Sequence, residues 1–467
     1  MASVLPNILW ICTDQQRYDT IRALGNEHVH TPNIDRLVQE GVAFTHAFCQ
    51  SPICTPSRAS FLTGMYPGTV HGCMNGNDHW AEAAPLVTKL LADAGVDCGL
   101  SGKLHLAGAQ GRVEPRPRDD GYRVFHWSHG SSTEWEPGQH AWGDWLRSQG
   151  REQREFLEDP DNFPPELHQT TWCTDRAIEH IETAGRPWLM SVNIFDPHVP
   201  FDPPKSYLQR YDPASLPGPL FRESDLAAQT RLAGVDFQHP VRRPEEFDAT
   251  HIQAAYYAMI ELVDDNVGRM LAALERTGQR ENTLIIFMSD HGEMLGDHGL
   301  VAKGCRFYEG LVRVPLIFSW PGQIESGLVS DALVELLDVA PTLLELYGLP
   351  VPARMQGRSL LPILRGVADP VRHRDFVRSE FYSALNSIRR DRFVCSYATM
   401  LRDRRHKLVV YHGYEPGELF DLENDPGEFD NLWDDEGYRD VRHELMKRSF
   451  DALAFAVDKG PEQVSSF

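Results

Sequence analysis

The stretch Ile8-Leu9-Trp10-Ile11-Cys12 is a short, wholly apolar run, and the residues Thr13-Asp14-Gln15 follow it directly. Uninterrupted apolar runs of this length are typical of strands that are buried on both faces, as the strands of a parallel sheet are. Similar runs recur at residues 96–100, 188–195 and 284–288. Stretches with the period of an amphipathic helix separate them. The sequence therefore predicts an α/β domain with a large mixed, mostly parallel sheet sandwiched by helices.

The clearest predicted helix covers residues 251–276, where apolar side chains recur on one face. Thr250 is the expected N-cap of this helix, and Gly278 is expected to end it.

After Gly357 the pattern changes to short strands and one closing helix. This favours two domains: a main α/β domain at residues 1–355 and a small C-terminal α+β subdomain at residues 356–467. The predicted strands of the subdomain lie at 376–381, 407–411 and 418–422, and its terminal helix lies at 439–457.

The charge of the chain excludes some classes of partner. Its 467 residues include 45 Lys and Arg against 67 Asp and Glu, a formal net charge of -22. Because the sequence has no basic run that could bind a phosphate backbone, we expect no nucleic-acid partner, and the acidic surface favours small substrates over long polyanions.

No apolar run approaches the ~20 residues of a membrane-spanning helix, and no secretory signal is visible. With eight irregularly spaced cysteines, the sequence predicts reduced thiols, a cytoplasmic location and no membrane partner.

Polar side chains follow each of the four predicted strands. In an open parallel sheet the carboxyl ends of the strands share one edge, and ligands bind there. The side chains expected at this edge are Asp14 and Gln15, Lys103 and His105, Asp196 and His198, and Asp290 and His291.

Two of these pairs predict a metal site. Asp14 with Gln15 and Asp290 with His291 offer three oxygen ligands and one nitrogen, which suit Ca²⁺, Mg²⁺ or Mn²⁺ better than structural zinc. Either pair alone fits equally well an Asp that caps the following helix. Two pairs on matching strand ends favour the metal.

The segment 51–64 predicts a nucleophile. Pro56 suits the first turn of a helix, so Cys54 is expected just outside the helix N-terminus, where the backbone dipole lowers the pKa of a thiol and attracts anions. Arg58 would face this site. The alternative is a buried structural cysteine that precedes a helix.

The motif Cys54-Thr55-Pro56-Ser57-Arg58 matches the Cys-x-Pro-x-Arg signature of the type I sulfatases, in the alkaline phosphatase superfamily, and the sequence resembles this family along nearly its whole length. The pairs Asp14-Gln15 and Asp290-His291 differ from the Asp-Asp and Asp-Asn of many arylsulfatases. They are similar to those of the phosphonate monoester hydrolase and choline-sulfatase branch. Other matching segments are 6–8, 31–35, 102–105, 196–198, 289–292, Lys303, 419–422 and 424–426.

The resemblance implies a role for each matching residue. Cys54 would be converted to formylglycine by a separate formylglycine-generating enzyme and would act as the nucleophile. Arg58 would orient the formylglycine hydrate, Lys103 and His105 would contact the hydrate and the sulfate, and His198 and Lys303 would hold the sulfate and assist the leaving oxygen. One divalent ion, Ca²⁺ or Mn²⁺ with Mg²⁺ as a further possibility, would bind Asp14, Gln15, Cys54, Asp290 and His291.

The expected function is hydrolysis of a small sulfate monoester, a sulfuric ester hydrolase activity. The alternative is a phosphonate monoester or phosphodiester hydrolase that uses the same formylglycine and metal site. A third possibility is a non-catalytic protein that binds metal and anions and in which Cys54 stays unmodified. A homo-oligomer is a possible assembly.

Other aromatic and basic residues have two interpretations. Those in loop-like stretches would line the substrate pocket or serve as buried loop anchors, and His298 and Arg306 would reach the pocket or pin their loop. The aromatic and imidazole residues in question are His79, Trp80, His126, Trp127, His129, Trp135 and Trp142.

Overall fold

The computed structural model describes residues 5–82, 84–109, 111–130, 133–185, 187–385, 388–389, 392–393, 396–458, 460 and 465. Among these residues the strands form one large sheet, one small sheet and a two-stranded ribbon. The strands are β1 (Asn7–Thr13), β2 (Gly41–Phe48), β3 (Asp97–Gly102), β4 (Tyr122–Trp127), β5 (Trp188–Ile194), β6 (Thr283–Ser289), β7 (Arg313–Val314), β8 (Leu316–Ser319), β9 (Leu328–Glu335), β10 (Val377–Tyr382), β11 (Ile388–Arg389), β12 (Arg392–Phe393), β13 (Tyr397–Arg402), β14 (His406–Tyr411) and β15 (Glu418–Asp421).

The large sheet has the strand order β4-β3-β5-β1-β6-β8-β2-β7, and β9 also pairs with β2. The five strands from β4 to β6 are parallel to one another, whereas β8 runs antiparallel to β6 and to β2. The prediction of a mixed, mostly parallel sheet is confirmed. Each of the four predicted strands lies within two residues of the observed one at both ends.

Helices cover both faces of this sheet. Successive residues of β1 alternate between two apolar clusters: Trp10 packs into one, and Leu9 and Ile11 pack into the other. The α-helices are α1 (Pro32–Gln39), α2 (Cys54–Thr63), α3 (Pro67–Val70), α4 (Val87–Asp93), α5 (Ala141–Ser148), α6 (Gln153–Glu158), α7 (Gln169–Thr183), α8 (Lys205–Leu208), α9 (Ser224–Arg231), α10 (Ala249–Arg276), α11 (Glu309–Val312), α12 (Val339–Leu346), α13 (Leu361–Leu364) and α14 (Arg439–Phe455).

The long helix α10 corresponds to the predicted helix, but its N-terminus was predicted wrongly. The N-cap is Asp248, in the left-handed region with φ 50°, and no side chain caps the helix. Thr250 lies inside the first turn. The capping preference of Thr does not decide the start here, because the chain enters the helix through a left-handed residue that the sequence pattern does not reveal.

A buried carboxylate of α10 caps another helix. Asp264 accepts hydrogen bonds from the backbone N–H groups of Asn33 at 3.0 Å and Ile34 at 2.7 Å, at the start of α1. Burial raises the pKa of Asp264 to about 6, against the lowering effect of these hydrogen bonds. This contact fixes α1 to α10.

The small sheet has the order β10-β13-β14-β15 and is antiparallel throughout. The predicted strands at 376–381, 407–411 and 418–422 correspond to β10, β14 and β15, and the terminal helix corresponds to α14. The sequence did not predict β13. The antiparallel subdomain is confirmed, while the division at residue 355 stays a prediction.

The cysteines that the structure describes, which are all except Cys395, are free thiols. None of the described helices combines the length and the apolar character that a bilayer-crossing segment needs.

Candidate active site

The carboxyl ends of the central strands bring their polar side chains together at one edge of the sheet. Thr13 at the end of β1 pairs in register with Ser289 at the end of β6. Beyond the strands, the backbone N–H of Asp290 donates to the Thr13 carbonyl at 3.2 Å, and the backbone N–H of Gln15 donates to Asp290 Oδ1 at 3.1 Å. The two predicted acidic pairs therefore lie side by side.

The helix α2 adds the predicted nucleophile to this edge. Its first residue is Cys54 and its N-cap is Ile53, so the prediction that Cys54 lies just outside the helix is wrong by one residue. Pro56 occupies the third helical position, where its missing N–H removes no intrahelical bond. All residues of α2 are buried, and Ser57 Oγ donates to the Asp290 carbonyl at 2.5 Å, which fixes the helix to the end of β6.

The sulfur of Cys54 lies among charged and imidazole groups. Its Sγ atom is 2.8 Å from Lys303 Nζ and 3.1 Å from His291 Nε2. Asp14 Oδ1 lies 3.7 Å from the sulfur. Burial alone would raise the pKa of the Cys54 thiol, but the positive charges of Lys103 and Lys303 hold it well below its usual value. The environment therefore stabilises negative charge at position 54.

Arg58 links the two acidic strand ends from beneath the nucleophile. Its guanidinium donates to Asp290 Oδ2 at 2.9 Å, to Asp14 Oδ2 at 3.4 Å and to the Lys103 carbonyl at 2.9 Å. Arg58 and both carboxylates are 0% exposed. Breaking such a buried pair leaves a carboxylate without its counter-charge, so Arg58 ties Asp14 and Asp290 together at an energetic advantage.

Lys303 and His198 form a contacting pair beside the sulfur. Lys303 Nζ lies 3.0 Å from His198 Nε2, and His198 Nδ1 donates to the Val199 carbonyl at 2.5 Å. Burial, helped by Lys303, lowers the pKa of His198. Burial would lower the pKa of Lys303 as well, but Cys54 and Asp14 raise it above its usual value. The pair therefore consists of an ammonium that donates to a neutral imidazole.

The end of β3 contributes Lys103 and His105. Lys103 Nζ forms an ion pair with the Asp14 carboxylate, and the His105 side chain lies close enough to Cys54 for the two groups to influence each other's pKa. Burial, with the charge of Lys103, lowers the pKa of His105 to about 4. His105 is thus a neutral imidazole placed against residue 54.

The donor set fits a divalent metal ion. One ligand atom from each of Asp14, Cys54, Asp290 and His291 lies within 4.8 Å of the others. His291 Nδ1 donates to the Gly292 carbonyl at 2.8 Å, which leaves Nε2 as the nitrogen that can bind a metal. Carboxylate oxygens suit Ca²⁺, Mn²⁺ and Mg²⁺, whereas an imidazole nitrogen is more typical of softer divalent ions.

The fifth predicted ligand, Gln15, is oriented by a residue that the sequence analysis missed. Its Nε2 donates to the buried carboxylate of Glu293, and its Oε1 lies 3.0 Å from Lys303 Nζ, on the side of the site. Glu293 also accepts from the backbone N–H groups of Leu295 and Ala302. The segment Asp290-His291-Gly292-Glu293 offered a signal for it, because a second acid closely follows the predicted metal pair.

Two other predicted residues lie away from the nucleophile. His298 Nδ1 contacts Asp225 at 3.2 Å, and Arg306 Nε donates to Gln229 at 2.8 Å. These contacts favour the interpretation that both residues pin their loop.

The structure also places several of the aromatic and imidazole residues that were proposed for the pocket. The loop placement was wrong for His126 and Trp127, which lie on β4, and for Trp142, which lies in α5 and is 0% exposed. His129 contacts a predicted site residue, since its ring centroid lies 4.9 Å from that of His105.

Comparisons with known proteins identify the family of this chain. The family described as Sulfatase matches residues 6–349, and the family described as N-sulphoglucosamine sulphohydrolase, C-terminal, matches residues 296–453. An arylsulfatase of Clostridium perfringens is 30% identical over 95% of this chain and 93% of its own. A choline-sulfatase of Rhizobium meliloti is 30% identical over 92% of this chain and 83% of its own. The solved structure of a phosphonate monoester hydrolase of Agrobacterium radiobacter superposes with a TM-score of 0.81 at 27% identity, covering 97% of this chain and 96% of that one. The chain is therefore a hydrolase that belongs to the sulfatase family, within the alkaline phosphatase superfamily.

Proposed function

We propose that this enzyme hydrolyses a small sulfate monoester, with residue 54 as a formylglycine nucleophile and one divalent metal ion. The observation that carries the proposal is the position of Cys54, whose sulfur lies 2.8 Å from Lys303 Nζ and 3.1 Å from His291 Nε2 at the start of a buried helix. A nucleophile in this place attacks beside a cation and beside the metal ligands.

Buried cations supply the binding site for the sulfate group. Arg58, Lys103 and Lys303 are each 2% exposed or less, although the chain as a whole carries a net charge of -22. With Asp14 and Asp290 engaged as metal ligands, these cations are left to attract an anion. Positive charge fixed in a water-poor site stabilises the charge that develops on sulfate oxygens.

The metal ion and the modified residue would supply two chemical properties that the unmodified side chains lack. When bound, a divalent ion supplies Lewis acidity, and a formylglycine hydrate supplies two hydroxyl groups where a thiol has none. The residues proposed to hold the ion are Asp14, Gln15, Cys54, Asp290 and His291.

Proton transfers fall to the imidazoles and the lysine. Lys303 and His198 contact each other at 3.0 Å, so the Lys303 ammonium supplies the proton for the leaving oxygen, either directly or through His198 Nε2, and Lys303 is left as a neutral amine. His105, whose pKa is influenced by the neighbouring residue 54, is the proposed acceptor of the proton from a hydroxyl at that position.

The burial of the site supports a small alcohol group in the substrate. Asp14, Cys54 and Lys303 are each 2% exposed or less, whereas His105 is 7% exposed and His198 is partly exposed. The substrate therefore reaches residue 54 past the two imidazoles.

A second candidate activity is hydrolysis of phosphonate monoesters or phosphodiesters with the same groups. The neutral Gln15 in the first metal pair favours it, together with the likeness to the phosphonate monoester hydrolase. Sulfate and phosphonate monoanions have similar shape and charge, so the same cations would serve either.

A comparison of two esters of the same phenol tests the proposal. We expect kcat/KM for the aryl sulfate to exceed that for the aryl phosphonate monoester by about tenfold or more. The reverse ratio would establish the second candidate. The enzyme for this test is co-produced with a formylglycine-generating enzyme, and Cys54→Ala shows whether each rate arises at this site.

Removal of the metal is expected to lower both activity and stability. Two buried carboxylates lose the positive charge that they coordinate when the ion is removed. An ion present at 100 times its Kd stabilises the folded state by about 2.7 kcal/mol. We expect elemental analysis to find one Ca²⁺, Mn²⁺ or Mg²⁺ per chain, and readdition to restore the thermal midpoint and the rate. Asp290→Ala should lose the ion, whereas Asp264→Ala, which removes a buried carboxylate elsewhere, should retain it. Full activity without any bound metal would contradict the proposal.

The proposed partners follow from this chemistry. A formylglycine-generating enzyme is needed during maturation, and the substrate is a small sulfate ester. A cytoplasmic location and a homo-oligomer stay predictions, which cell fractionation and light scattering would test.

A further inference from the structure

We propose that Glu114 is a positioning residue, whose carboxylate holds the 105–107 turn and thereby keeps the His105 imidazole against residue 54. The inference rests on the proposed function, since it assigns His105 a part in turnover. Glu114 lies within the segment 111–121, between β3 and β4, and is only 5% exposed.

The carboxylate of Glu114 accepts three consecutive backbone N–H groups. His105 donates to Oε2 at 2.8 Å, and Leu106 and Ala107 donate to Oε1 at 2.5 and 3.1 Å. Successive backbone amides that converge on one anion form a concave site that stabilises negative charge. The side chain of Glu114 thus determines the path of the chain directly after Lys103.

His105 needs such support because of its backbone conformation. Its φ of 58° lies in the left-handed region, which is strained for a residue that carries a Cβ atom. The hydrogen bonds to Glu114 begin at this residue and offset that strain. Without them, the turn is free to relax toward an ordinary φ, and the ring would leave Cys54.

The same carboxylate fixes the turn to the end of β4. Trp127 Nε1 donates to Glu114 Oε2 at 3.0 Å, and the Trp127 ring packs edge-on against Trp135 and His140, with centroids 5.5 and 5.6 Å apart. The turn is thereby attached to a packed aromatic cluster.

The buried Glu114 carboxylate has no counter-ion within the described part of the chain. Among the residues that the structure describes, no lysine or arginine forms an ion pair with Glu114, and burial raises its pKa against the lowering effect of the hydrogen bonds from Trp127 and His105. A buried carboxylate without a counter-ion costs stability. The position of this carboxylate beside the His105 turn points to a role in placing the His105 ring.

The first test is the variant Glu114→Gln, which keeps the size of the side chain but turns an NH₂ group toward at least one backbone donor. We expect kcat to fall about 10- to 100-fold, because a displacement of about 1 Å at a reacting group costs this much, while KM changes less than about threefold. The matched control is Asp264→Asn, which also weakens a carboxylate that receives two backbone N–H groups. It should lower the thermal midpoint and leave kcat unchanged.

A double-mutant cycle separates positioning from general destabilisation. If Glu114 acts through His105, adding Glu114→Gln to His105→Ala reduces kcat no further than His105→Ala alone. Losses that multiply in the double variant would overturn the inference. Should Glu114→Gln not fold, Glu114→Asp, which keeps the charge but shortens the reach, enters the same cycle.

Hydrogen exchange of the 105–107 amides provides a readout that needs no turnover. We expect faster exchange at these amides in Glu114→Gln, with the rest of β3 unchanged. Unchanged exchange at the turn would overturn the inference. Because exchange is independent of the substrate, a protein that cleaves neither ester would disprove the proposed function and still decide the role of Glu114.

Discussion

Replacement of Cys54 with alanine is expected to abolish ester hydrolysis, with a loss on the order of 10⁴- to 10⁶-fold, as when other enzymes lose their nucleophile. The sulfur lies 2.8 Å from Lys303 Nζ, and neighbouring cations lower the pKa of the thiol, so the residue removed is the one that the site activates. The measurement is kcat/KM on the better of the two aryl esters.

Cys49 provides the matched control. It is as deeply buried as Cys54, with 0% exposure against 1%, but it lies outside the Cys-x-Pro-x-Arg motif, so Cys49→Ala should retain kcat/KM in the folded fraction. Mass spectrometry of the peptide that contains residue 54 should show an aldehyde or its hydrate in the active enzyme. An unmodified thiol in a fully active preparation, or activity that survives Cys54→Ala, would contradict the proposed nucleophile.

The variant Arg58→Gln is expected to lose both stability and activity. The guanidinium is 0% exposed and donates to Asp14 and Asp290, so its removal leaves two buried carboxylates without their partner. Breaking a buried ion pair in this way costs about 3–5 kcal/mol of folding free energy. We expect a lower thermal midpoint, together with a loss of kcat in the fraction that remains folded.

Arg374→Gln separates the two effects. Arg374 is buried and forms ion pairs with Glu335 and Asp338, outside the active site. This variant should lower the thermal midpoint by a similar amount, while its folded fraction keeps the wild-type kcat. Equal kcat in both variants would show that Arg58 serves stability alone.

The sequence predicts the fold correctly where a short apolar run forms a strand that is buried on both faces. The apolar runs of β1 and β6 are buried on both faces, and the polar residues after them reach one edge because parallel strands share a direction. The terminal helix α14 was found at its observed start, since its boundary follows from local sequence. The small strand β13 was missed, because its sequence, Tyr397–Arg402, carries only a weak alternating pattern.

The supporting residues of the site were not predictable in this way. Glu114 and Glu293 act by accepting backbone N–H groups of turns whose conformation exists only in the folded chain. The start of α10 at a left-handed Asp248, and the start of α2 at Cys54, likewise depend on how loops enter the helices. The residue types in these segments do not by themselves reveal the backbone conformation of the turns or of the helix starts.

If Cys54 is modified as proposed, its burial also sets an order of events during synthesis. The residue is 1% exposed in a helix with no exposed residue, so an enzyme that modifies it must act before this part of the chain has folded. Lys303, which covers the sulfur, follows 249 residues later. At translation rates of about 5–20 residues per second, this leaves roughly 10–50 s between the emergence of the two residues. On the proposed modification, maturation and folding would therefore compete in time, and a chain that closes early would keep its thiol.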